Sequence, residues 1–170
     1  MAATVLIREW VDGNTANAVD KTSGAVRYKN ANNATVDAQN PLVRPANGFV
    51  YSYEKWIRLK ITVPPTGAIT SPVLYSDGAN GYGTGVSLYC GRNGAYVAAV
   101  NTISQFAVTN GADFFSYTNL APMALDITNA GPFNLVGDIG DFAVLQARVA
   151  STATAGTTAG EVHTFSWNET

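Results

Sequence analysis

Residues 51–65 read YSYEKWIRLKITVPP, and the alternation within them decides the fold. Every second residue from Tyr51 gives Tyr51, Tyr53, Lys55, Ile57, Leu59, Ile61 and Val63. The row between them is Ser52, Glu54, Trp56, Arg58, Lys60 and Thr62. One row ends in four apolar side chains while the other is mostly polar, the period-two signature of a strand with one buried face and one wet face. Pro64 and Pro65 stop it, because neither can donate to a ladder. The stretch predicts a long antiparallel strand.

Similar runs recur on both sides. Ala3–Val11 carries Val5, Ile7 and Glu9 on one row and Leu6, Arg8 and Trp10 on the other. Further strands are expected at Gly24–Lys29, Ile69–Tyr75, Val86–Cys90, Ala95–Val100, Asp113–Tyr117, Met123–Thr128, Phe133–Val136, Asp141–Val149 and Glu161–Trp167. Residues 96–107 also fit one face of a short helix through Val97, Val100, Ile103 and Ala107. Asp12-Gly13-Asn14 and the glycine-rich DGANGYGTGV (77–86) are turn signals, and STATAGTTAGE (151–161) reads as a loop or hairpin tip. Many short strands without a βαβ unit, a repeat or a dividing linker predict one all-β domain over residues 1–170. The expected form is an antiparallel β-sandwich of the jelly-roll kind.

Composition agrees with that class and narrows the chemistry. Hydrophobic residues make up 46% and charged residues only 13%, against about 25% charged in typical soluble domains. Low charge leaves little electrostatic defence against self-association and favours assembly. Nine of the ten basic residues lie in residues 1–92 with six acids, while Arg148 alone faces six acids beyond them. Such polarity would orient a docking face toward an acidic partner surface. The scattered Lys and Arg form no basic run, so nucleic acid is not an expected partner. Cys90 is the only cysteine, and its alternation with Val86 and Leu88 marks a buried small side chain. No stretch approaches the length of a membrane span, and MAATVLIREWVDG does not read as a secretory leader, so a cytosolic site of synthesis is expected.

Enzymatic constellations are missing from the sequence. His163 is the only histidine and stands among aromatics near the C-terminus. With one histidine and one cysteine, neither an imidazole-based mechanism nor a zinc site is expected. The loop at 77–86 lacks the Lys-Ser/Thr of a phosphate loop. Asp77, Asp138 and Asp141 match no calcium-loop spacing and read as turn aspartates. The chain is expected to be a non-enzyme without cofactor or metal. The aromatics Tyr51, Tyr53, Trp56, Tyr82 and Tyr89 fit either a β core or a sugar-stacking platform, with the core reading favoured.

The proline-punctuated stretch NANNATVDAQNPLVRPAN (30–47) is too long and too weakly patterned for a core strand. It reads as an extended arm or long loop, a length that usually carries function. Asn30, Asn33, Asp37, Asn40 and Arg44 along it are the residues expected to touch a partner.

The closing stretch EVHTFSWNET (161–170), a Phe-Ser-aromatic core followed by an acidic residue, resembles the terminal strand of some phage head proteins. NANNATVDAQNPLVRP (30–45) and YEKWIRLKIT (53–62) are similar in style to such proteins. The resemblance is to tailed-bacteriophage virion proteins, and most of all to capsid decoration (cement) proteins. It implies a β-sandwich or jelly-roll domain, often trimeric, that docks on the major capsid protein from outside and stabilises the shell. The expected location is then the virion, after synthesis in the host cytoplasm, with no membrane partner. A phage tail, neck or fibre component is the alternative within the particle, and a carbohydrate-binding module the alternative of another class.

Overall fold

The computed structural model describes residues 1–12, 15–103, 111–156 and 159–170. Ten strands among them are β1 (Thr4–Trp10), β2 (Val19–Asp20), β3 (Phe49–Tyr51), β4 (Lys55–Val63), β5 (Ile69–Tyr75), β6 (Val86–Asn93), β7 (Ala112–Asp113), β8 (Met123–Ala124), β9 (Gly137–Ala150) and β10 (Thr164–Glu169). They form two antiparallel sheets. The larger runs β2-β1-β4-β9-β6-β7, with β3 joining β9 beyond the end of β4, and the smaller runs β10-β5-β8. This is the all-β sandwich expected from the alternation, divided unevenly into seven strands and three.

The apolar row of β4 does what its spacing dictates. Ile57, Leu59 and Ile61 are buried and face the small sheet, where Leu74 of β5, Met123 of β8 and Phe165 of β10 meet Leu88, Cys90 and Leu145 of the large one. Pro72 sits inside β5, a position that would break a regular ladder. The pairing with β10 shifts register between Ser166 and Asn168, and Ser71 has a φ of 51°, so the proline occupies an irregularity rather than a paired site.

The row of β4 expected to be wet is only partly so. Trp56 is fully buried on the outer face with Trp10, Phe142 and Val144, under a cover formed by Tyr96, Val97 and Ala99. The large sheet is therefore packed on both faces at this end, and β9 is buried continuously from Ile139 to Ala147. Residues 96–103, read as helix or strand from the sequence, are neither: they are irregular chain laid over the tryptophans, and positions 104–107 lie outside the described residues. Gly24–Lys29 is not a strand, and Phe133–Val136 contributes only one bridge, Phe133 to Ile69. The two halves of the chain interleave, since β4 and β6 both pair with β9.

Leu59 is 1% exposed, so Leu59→Ala should cost roughly 2–5 kcal/mol in urea denaturation. Trp56→Ala should cost about 3–5 kcal/mol although it belongs to the polar row. A neutral Trp56 variant would mean that the outer face is solvent-facing after all.

Candidate functional site

The 30–40 loop is laid over one end of the inner face and closed at its base by the Asn30 N–H, which donates to the Asn40 carbonyl at 2.8 Å. Its residues are small and polar, and its one larger apolar side chain, Val36, is 53% exposed. Burial of apolar surface therefore contributes little to holding it down. What holds it is charge. Beneath it lie Lys21, Lys29 and Lys55, all buried, with Glu9 fully buried between two of them. Lys55 Nζ stands 3.1 Å from Glu9 and donates to the Asn33 carbonyl at 2.8 Å. Lys21 Nζ stands 3.5 Å from Glu9 and donates to the Ala34 carbonyl at 2.7 Å. Lys29 Nζ pairs with Asp37 at 2.9 Å.

Three ammonium groups share two carboxylates here, and the loop's own carbonyls supply the rest of the acceptors. Burial pulls the Lys55 pKa below its usual value, opposed by Glu9. The hydrogen bond from Lys29 lowers the Asp37 pKa. Sequence reasoning placed Glu9 and Lys55 on the apolar rows of adjacent strands but did not join them. Opposite charges at the same end of two paired apolar rows are the signal that marks a buried ion pair. The excess of basic residues before position 93 is thereby partly consumed inside, because three of the nine are interior.

Each residue expected to meet a partner now has a place. Asn30 Oδ1 accepts from the Asn101 side chain at 3.2 Å, and Asn33 Oδ1 accepts from the Thr35 N–H at 3.1 Å. Asp37 holds Lys29, while Arg44 Nη1 donates to the Ala153 carbonyl at 3.3 Å. Asn40 is exposed with a φ of 51°. The segment is a long loop folded onto its own domain.

Between this loop and the sheet lies a half-open cavity of about 980 Å³. Its floor is Ile7, Ile57, Ala147 and Val149. Val26, Pro41 and Leu42 form the roof, with residues 153–156 and 159–163 along the side. Tyr28, Tyr82, His163 and Phe165 complete the wall. Gly85 lets the side segment approach: a Cβ there would stand 2.5 Å from the Ala153 nitrogen, and its φ is +79°. Because the space is half-open, water can enter it.

Two further carboxylates, Asp141 and Asp77, hold local structure. Asp141 accepts from the backbone N–H groups of Ile127, Thr128 and Asn129 at 2.8–3.2 Å. Asp77 caps its own turn through the Ala79 N–H. Among the described residues no three His, Cys, Asp or Glu side chains come together. Of the described aromatics only Phe49 is exposed, and the Arg148 guanidinium lies over its ring at 4.4 Å. That leaves no row of open rings. Burial alone pushes the His163 pKa down to about 4, and Tyr28 Oη lies 3.4 Å from its Nε2. Burial raises the Glu54 pKa to about 7, with the Trp56 indole N–H donating to it at 3.1 Å.

No family model, curated protein or solved structure matches this chain.

Two predictions follow from these groups. Glu9→Gln leaves two buried ammonium groups short of their counter-charge and should cost about 3–5 kcal/mol, read by denaturant unfolding, with the 30–40 loop exchanging its amide hydrogens faster. The second concerns pH. A carboxyl whose folded pKa is raised from 4.5 to about 7 loses stability as pH rises through that window, because only the folded chain keeps the proton. A histidine lowered from 6.5 to about 4 loses stability as pH falls through its window, because the unfolded chain takes the proton first. The two slopes oppose each other, each at most about 1.4 kcal/mol per pH unit. Melting temperature should fall on acidification from pH 6.5 to 4.5 in Glu54→Gln and rise in His163→Gln, with the native protein between them.

Proposed function

We propose that this chain is a non-enzymatic structural protein of a tailed-phage particle, docked as an oligomer on the outside of the capsid. Assignment of its sandwich to the jelly-roll class belongs to the same reading. One observation carries the docking part: apolar side chains stand in solvent on loops that the core holds fixed. Leu135 is 75% exposed, Val136 61% and Ile127 57%, all on the connection between β8 and β9. The near end of that connection is tied to Asp141 by three backbone hydrogen bonds. Leu120, at a neighbouring turn, is 91% exposed. Apolar groups presented by a fixed loop lose little entropy on burial against a partner.

The partner is the major capsid protein, and the oligomer a homotrimer. A trimer that touches the shell at several points turns weak contacts into firm attachment. Binding only the assembled shell stabilises it by mass action. The packed aromatics count against the sugar-binding alternative, since stacking on a sugar ring needs open ring faces.

Size-exclusion chromatography with light scattering should give a trimer, and co-sedimentation with purified phage shells should show saturable binding that raises their disruption temperature. The double variant Leu135→Glu, Val136→Glu should keep its melting temperature and lose shell binding at least tenfold. A strict monomer that leaves shells unaffected would overturn the reading.

A further inference from the structure

We propose that the cavity beneath the 30–40 loop binds a single-chain amphiphile with an anionic head, such as a long-chain carboxylate. This goes beyond the docking reading and does not depend on it. The floor offered by Ile7, Ile57, Ala147 and Val149 is aliphatic and presents no hydrogen-bonding side chain. It suits an alkyl chain. A sugar or a nucleotide laid against these four side chains would leave polar groups unmatched.

The polar groups of the lining differ in charge and in exposure. His163 and Tyr28 in the wall are within hydrogen-bonding distance of each other, and burial favours the neutral form of both. Neither brings a charge into the interior. Lys21 also lines the space, but its ammonium is taken by Glu9 and the Ala34 carbonyl. Arg27 and Arg44 line it too and are exposed, which places two guanidinium-bearing residues at its solvent boundary. One Arg44 N–H donates to the Ala153 carbonyl, and a guanidinium has further N–H groups with which to pair a carboxylate. Glu161 is the one carboxylate in the lining. Two arginines against Glu161 leave an excess of positive charge in the lining, offset in part at Arg27 by the nearby Asp37, and that excess beside aliphatic side chains complements an anionic amphiphile.

The test is a fluorescence titration of the full chain with cis-parinaric acid, followed by displacement with hexadecanoate and with hexadecanol. Saturable binding of one probe per chain is expected, with hexadecanoate displacing it better than hexadecanol. In the double variant Arg27→Gln, Arg44→Gln the carboxylate should weaken about tenfold, as loss of a charge-assisted pair predicts, while the alcohol is unchanged. Val149→Trp should fill the floor and abolish probe binding with the strand spectrum retained. Should that variant fail to fold, the arginine variant decides alone. Absence of saturable binding, equal loss of acid and alcohol in the arginine variant, or full binding in a folded Val149→Trp protein would each overturn the proposal.

Discussion

Between β3 and β4 the chain leaves its partner β9 for the length of one extra residue, and much of the molecule is arranged around that irregularity. Tyr51 pairs with Arg148 and Lys55 with Leu145, so four steps on one strand oppose three on the other. Ser52 bridges the gap, its N–H going to the Ala147 carbonyl while its hydroxyl accepts the Ala147 N–H. The next two amides are then free to point elsewhere. Tyr53 N–H donates to Lys29 at the root of the 30–40 loop, and Glu54 N–H donates to Val100 in the cover over the tryptophans. One bulge thus ties down a covering segment on each face of the sheet, which is a recognised use of such irregularities. A second bulge repeats the device. Where β9 passes Gly140, the Asp141 N–H turns to the Leu125 carbonyl and the Asp141 carboxylate gathers the following loop. Gly140 is required there, with a φ of +67° and a Cβ position 2.5 Å from the Leu125 oxygen.

How much of this was legible follows from the same point. Period-two alternation located β1, β4, β5, β6, β9 and β10 because those strands bury side chains in rows. It failed where burial is not periodic. Tyr96, Val97 and Ala99 pack on the indole rings within irregular chain, so neither a period of two nor one of 3.6 describes the segment. Trp56 was assigned to a wet row because its neighbours Glu54 and Arg58 are polar, yet the row is sealed by a segment forty residues away. Alternation reports the sheet's own pleat and carries no information about what is folded over it. Of the candidate site, the loop at 30–47 was legible as a long irregular stretch. Its anchors were not, since Glu9, Lys21 and Lys55 come from separate strands and loops.

That loop is anchored by charge and hydrogen bonds. Apolar burial is non-directional and tolerates sliding, whereas lysine heads aimed at individual carbonyls fix one placement. Burying ion pairs adds little net stability compared with apolar packing, because desolvation consumes most of the attraction. The arrangement is therefore better read as setting position than as adding strength. A loop placed by polar contacts differs from the rest of the interior. Elsewhere the sheets meet through Leu, Ile, Phe and Met in close contact.

Cys90 brings one last consequence. Its thiol is fully buried beside the Met123 sulfur at 3.7 Å, and burial pushes its pKa well above the ordinary thiol value. Thiol reagents attack the thiolate and need access to it, so the folded chain is silent toward them on both counts. With no second cysteine to compete, the rate at which this sulfur is alkylated reports how often the two sheets part. The molecule carries its own clock for the opening of its core, readable inside a mixture or a large assembly where optical probes fail.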